Sequence, residues 1–455
     1  MIPTLRLPGG AVLAAEAVEG ARSFAVGFWF PVGSRHETER ERGFVHFVEH
    51  MAFKGTSRRG AADISREIDR VGGYLNAFTD RDSICFHCQV PSSRWKMALD
   101  VLADMSLSSL FRQGDFERER EVIISEILSA RDDPEERSND EFLASVWPSD
   151  PLARKIAGEP QDIRRIKRDE LFAFYRAELS LESLLVVVSG PVASDEVAEE
   201  LSRLLRDAGE AAGGRTSLHA DARDSGPPAL RRRQESTPAF SPSSAWLRSD
   251  MEQVNYYEAV QLGPPFAEVD YYALAALNGA IGEASSSRLF LSLREDRGLC
   301  YSVSSAFSMS RTECLWVASA NVSEPQLPAL AAEMGRLIDR VAGEGLGDEE
   351  CADAISRLAG SFDLALEDTD FRMRRIARQV LFSGEAMAAE EARALIGGLE
   401  PTDLDSMRRR LLNGRRRARF AYGGLSRRTA RASGLAEAAP HSGARLSARA
   451  AARRG

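Results

Sequence analysis

The chain carries one pattern twice. Residues 26–30 read as a strand that meets Pro31-Val32-Gly33, and residues 256–262 read as another that meets Gly263-Pro264-Pro265. The later parts of the two copies also match. Asp169-Glu170-Leu171 leads through a helical stretch to Val186-Val187-Val188-Ser189-Gly190, and Thr402-Asp403-Leu404 leads to Arg419-Phe420-Ala421-Tyr422-Gly423. Leu171 to Gly190 and Leu404 to Gly423 both span 19 residues. A repeat of about 200 residues is far longer than the 20–50 of a solenoid unit, so it predicts two copies of one α+β fold. A chain of 455 residues exceeds what a single core supports. The expected division is an N-terminal half over 1–207, a linker over 208–235, a homologous half over 236–424 and a tail over 425–455. Gly213-Gly214 and Gly226-Pro227-Pro228 punctuate the linker. The tail holds seven Arg against one Glu in an Ala/Ser/Gly-rich context, a composition expected to stay mobile.

The chemistry concentrates in residues 46–50. His46, Glu49 and His50 stand at i, i+3 and i+4, although the chain has only six His in all. On a helix these positions share a face, with side chains four apart about 5–6 Å apart at Cβ. That separation lets two imidazoles share one Zn²⁺ at about 2.0–2.1 Å. Val45, Val48, Met51 and Ala52 supply an apolar face turned away from the histidines, and Gly55 ends the run. The plainer alternative is a helix with two satisfied surface histidines.

Two His are half of a catalytic zinc site, which takes three protein ligands and leaves one position to water. Residues 115–127 are acid-rich and helical in pattern, with Glu119, Val122, Ile123 and Glu126 on one stripe. Carboxylates on an apolar stripe are costly to bury unless paired or metal-bound. An ordinary charged helix, its acids paired with Arg118 and Arg120, fits the same residues.

The stretch Gly43-Phe44-Val45-His46-Phe47-Val48-Glu49-His50-Met51-Ala52-Phe53-Lys54-Gly55-Thr56 resembles the signature of the pitrilysin/insulinase family of inverted zincins. It is most similar to the short-form members, such as the catalytic subunit of mitochondrial processing peptidase and its bacterial relatives. The resemblance implies that His46, His50 and Glu126 hold one Zn²⁺ per chain, and that Glu119 supports the site from behind. It assigns Glu49 as the general base. Residues 72–79 resemble the family's edge strand, which implies that Asn76 and Ala77 contact a peptide added along that edge. A plain hairpin after a Gly-Gly turn fits those residues equally well. Residues 287–303 resemble the C-terminal signature, which makes Arg294 and Tyr301 donors that complete the active site.

The fold implied by the resemblance is two homologous α/β halves, each an antiparallel sheet flanked by helices, around a peptide-binding chamber. The function implied is zinc-dependent endopeptidase cleavage of extended or unfolded peptides of limited size, by a homodimer or with a paired homologous subunit. The rival is a non-catalytic peptide-binding or scaffold-like partner subunit, against which the intact zinc and Arg/Tyr sets count. A closed structural zinc site would need a fourth ligand.

Composition is ordinary for a soluble protein, with 44% hydrophobic and 28% charged residues. The longest strongly apolar run, residues 184–188, is far too short for a membrane span. Residues 5–13 read as a hairpin rather than a signal peptide, and five scattered Cys suggest no disulfide framework, so the expectation is cytoplasmic. Cys85, His87 and Cys88 form too weak a pattern for a second metal site, since alternation puts Cys88 on the opposite face. The net charge of −9, with no P-loop, nucleophile elbow or nucleic-acid-reading module, argues against nucleic acid as a partner.

Overall fold

Two six-stranded sheets repeat the same order of strands. The first comprises β1 (Thr4–Arg6), β2 (Val12–Ala17), β3 (Ser23–Phe30), β4 (Tyr74–Thr79), β5 (Ile84–Pro91) and β6 (Leu185–Gly190), in the order β1-β2-β6-β3-β5-β4. The second comprises β7 (Ser244–Arg248), β8 (Gln253–Leu262), β9 (Ser302–Met309), β10 (Cys314–Ser323), β11 (Ala418–Gly423) and β12 (Ala436–Glu437), in the order β12-β7-β11-β8-β10-β9. These come from a computed structural model that describes residues 1–211, 235–264 and 266–438. Five strands correspond one to one, and the 19-residue echo ends on the last residues of the equivalent strands β6 and β11. Both sheets depart from the expected antiparallel pattern at one equivalent pair. β2 runs parallel to β6, and β7 runs parallel to β11. Parallel neighbours need a long crossover, and helices supply it in both copies.

The compact units are not the contiguous halves expected from the sequence. The first unit gathers Met1–Ser129, Arg154–Gln234 and Asp363–Ala392; the second gathers Ala130–Ala153, Glu235–Phe362 and Arg393–Gly455, so far as these are described. Each half lends a helix to the other's sheet. In the first unit, helix Thr369–Ser383 places Met373, Ile376, Ala377 and Val380 on Ala14, Ala25, Trp29, Leu185 and Val187. In the second, helix Pro134–Val146 stacks Phe142 on Tyr257 at 4.6 Å between centroids, and Ser138 Oγ lies 2.8 Å from the Tyr257 hydroxyl. The equivalent strands β6/β3 and β11/β8 are thereby covered on one face by a helix from far along the chain. This explains why β3 reads as a nearly continuous apolar run, since both of its faces are buried.

The tail differs from expectation over its first part. Residues 427–432 form a helix capped by Ser426, and β12 pairs in parallel with β7. The remainder of the tail, and the linker's Gly and Pro clusters, lie outside the described residues. At its near side, helix Ser194–Ala211 continues past the expected start of the linker.

Candidate metal centre

The motif helix, Phe44–Ala52, buries Val45, Phe47, Val48 and Met51 against the first sheet. Three devices fix its position. Gly43 takes a left-handed backbone, φ +84, at the entry to the helix. The buried carboxylate of Glu37 accepts the orphan N–H groups of Gly43 and Val45, at 3.0 and 2.8 Å. Burial pushes Glu37 up to about 8, against the lowering effect of those two bonds. At the other end, Met51 O accepts the Ser109 hydroxyl at 2.8 Å, tying the helix to the turn before the acid-rich helix Gln113–Asp132.

That second helix faces the motif as expected, but its stripe is divided. Phe116, Glu119, Ile123 and Ile127 are buried, whereas Val122 is half-exposed and Glu126 stands out from the core. Phe47 stacks on Phe116 at 4.8 Å and sets the distance between the helices. Across the gap, Glu126 Oε1 lies 3.6 Å from His46 Nε2, and Glu126 Oε2 lies 3.3 Å from His50 Nε2. Donor atoms of His46, His50 and Glu126 all fall within 4.8 Å of one another, the one such group among the described residues. Cys85, His87 and Cys88 form no such cluster, and Cys85 and Cys88 sit in different cores, as alternation requires.

These distances fit a zinc ion. A tetrahedron with bonds of about 2.0–2.1 Å has ligand–ligand edges of about 3.3–3.4 Å, and two imidazole nitrogens with one carboxylate are a catalytic donor set. Burial, then the neighbouring His50, lowers His46 to about 4 against the attraction of Glu126, so its imidazole is neutral and its lone pair available near neutrality. For His50, burial works downward but is outweighed by the bonds to Glu126 and Glu119, and the net direction is upward. Glu126 is held below the usual carboxylate range, chiefly by its hydrogen bond with His50.

Glu49 stands apart from the ligand set. Its Oε2 accepts the Thr79 hydroxyl at 2.5 Å, and burial raises its pKa despite that bond. Glu119 lies behind His50, its Oε2 3.2 Å from Nδ1, and its Oε1 is 2.7 Å from Lys54 Nζ. Asn76 and Ala77 lie on β4, which among the described residues pairs only with β5 and so presents an edge. There Asn76 donates to the Tyr74 hydroxyl at 2.6 Å, and Ala77 is buried. Arg294 and Tyr301 belong to the second unit, where the guanidinium lies 5.1 Å from the Tyr301 ring centroid. The ring is 82% exposed, so its place is not set by core packing. Glu37, Lys54 and Thr79 were not anticipated as part of the site. Thr79 could have been found, because alternation from Ala77 puts it on the same face of β4.

Known proteins are similar to the chain over most of its length. Residues 12–160 match the family model described as insulinase (peptidase family M16), and residues 165–358 match that of the peptidase M16 inactive domain. An uncharacterized zinc protease of Streptomyces coelicolor is 34% identical over 92% of this chain and 89% of its own. One from Mycobacterium leprae is 33% identical over 90% and 89%. Among solved structures, a protease from Helicobacter pylori superposes with a TM-score of 0.79 at 18% identity, covering 93% of this chain and 99% of its own. An M16-like peptidase from Alicyclobacillus acidocaldarius gives 0.77 at 20%, covering 94% and 98%. The sequence relatives span nearly the whole chain, and the chain belongs to the insulinase family, peptidase family M16.

Proposed function

We propose that the chain is a zinc endopeptidase that hydrolyses extended or unfolded peptides. The observation that carries this reading is the convergence of His46, His50 and Glu126 on one point, with Glu49 beside them as a carboxylate outside the ligand set. Bound there, Zn²⁺ would act as a Lewis acid and bring the pKa of a water ligand towards neutrality. Glu49 is the base. With Oε2 engaged by Thr79, Oε1 takes the water's proton and later hands it to the leaving amine. Its raised pKa brings it nearer the operating pH, where a base that must also act as an acid works best.

The edge of β4 suits an extended chain, because backbone N–H and C=O groups pair with any sequence and leave selectivity to side chains such as Asn76. Arg294 and Tyr301, by resemblance to the family's C-terminal signature, are assigned to the developing oxyanion. A closed chamber, a homodimer or paired homologous subunit, and a cytoplasmic location belong to the same reading. None of the helices among the described residues is long and apolar enough to cross a membrane. The scaffold alternative keeps one point in its favour, the name of the model matched by residues 165–358; against it stands the complete ligand set.

Digestion of a mixed peptide library with mass-spectrometric readout tests the proposal. Cleavage should stop on chelation and return with added Zn²⁺. Cleavage that persists after the metal is removed contradicts it.

A further inference from the structure

We infer that Lys54 is a positioning residue for the metal centre, acting through Glu119 on His50. The inference rests on the zinc reading above and adds a residue to it. Nδ1 of His50 can donate to one oxygen of Glu119, which fixes the ring and leaves the lone pair of Nε2 towards Glu126. A carboxylate has two oxygens and can rotate, so one bond does not orient it. The second oxygen of Glu119 is held at 2.7 Å by the Lys54 ammonium. Glu119 is 7% exposed, so solvent is a poor substitute partner there.

The backbone places Lys54 for this task. It follows the last turn of the motif helix, with its N–H on Met51 O at 3.1 Å. Gly55 then turns the chain with φ +107, where an added Cβ would come within 2.8 Å of Arg59 O. Arg112, just ahead of the helix that carries Glu119, donates to Thr56 O at 2.9 Å, and Leu110 N donates to Gly55 O at 3.2 Å. The segment bearing Lys54 is therefore tied to the one that leads into Glu119.

The two histidines are supported unequally. Nδ1 of His46 is buried and has no hydrogen-bond partner among the described residues. His50 is the ligand with a carboxylate behind it and a cation behind the carboxylate. Orientation of the centre should accordingly depend on the Lys54–Glu119–His50 line.

Zinc affinity of the full-length protein, measured by competition with a chromophoric chelator, tests this independently of turnover. Lys54→Met should weaken binding by about tenfold, the lower end of what loss of an outer partner costs. Lys54→Arg should recover most of that, and Lys54→Gln provides a milder change if the Met variant folds poorly. In a Glu119→Gln background, Lys54→Met should cost nothing further, because the line is already broken. Wild-type affinity in Lys54→Met beside weakened binding in Glu119→Gln overturns the role of Lys54 alone. Losses that simply add overturn it too, since they mean that Lys54 acts elsewhere. A wild-type protein that binds no zinc sinks both this inference and the metal reading.

Discussion

A single hydroxyl engages one of the two oxygens of Glu49. Thr79 occupies Oε2, so in the proposed mechanism the proton goes to Oε1. Thr79→Val retains shape and loses the donor. It should keep full zinc content and lower kcat by about tenfold, below the 10²–10⁴ attributed to the base itself. An unchanged kcat with intact metal would show that Glu49 needs no such partner. At this scale the sequence was partly legible. His46, Glu49 and His50 are local and share one helix, so spacing alone groups them. Glu126 is 76 positions beyond His50, and only the resemblance, not the charged helix itself, separated it from Glu119. Lys54 and Glu37 gave no signal, because a Lys or Glu in a turn is usually a solvated one.

At the level of elements, the motif helix is held by an acid whose charge is disfavoured. Glu37 sits in the folded protein with a pKa of about 8, raised from 4.5 by burial. A raised carboxyl binds its proton more tightly in the folded state than in the unfolded one. Its contribution to stability is therefore complete below about 4.5 and is lost as pH rises towards 8. Glu37→Gln cannot titrate and still offers its one oxygen to one of the two N–H groups, of Gly43 or Val45. Thermal melts from pH 5 to 8.5 should show the wild type losing stability relative to this variant as pH climbs. Parallel pH dependences would mean that Glu37 carries no shifted proton. The elements themselves were largely readable. The hairpin at the N-terminus, the motif helix and the buried strand β6 all follow from local composition. The divided stripe on helix Gln113–Asp132 did not. Periodicity shows which residues share a face but not which end of that face reaches solvent.

For the whole molecule, the duplication was legible and the exchange of helices was not. Met373, Ile376, Ala377 and Val380 announce an amphipathic helix, yet nothing in that stripe says that it lies on β3 and β6 rather than on the sheet of its own half. The consequence is physical. A fragment ending in the 208–235 region would leave Ala14, Ala25, Trp29, Leu185 and Val187 uncovered, an apolar sheet face of the kind that drives aggregation. Each fragment expressed alone should be insoluble and inactive, and co-expression should restore soluble, active protein. An N-terminal fragment that is soluble and monomeric by itself would show that helix Thr369–Ser383 is dispensable to the first sheet.

The central claim is that one ion held by His46, His50 and Glu126 works with Glu49 as the base. Metal content and peptide hydrolysis measured on the same sample of Glu49→Gln test it most directly. The expected result is about one Zn²⁺ per chain with hydrolysis reduced by about 10²–10⁴-fold. Wild-type hydrolysis, or a loss of zinc as deep as in His46→Ala, would contradict it.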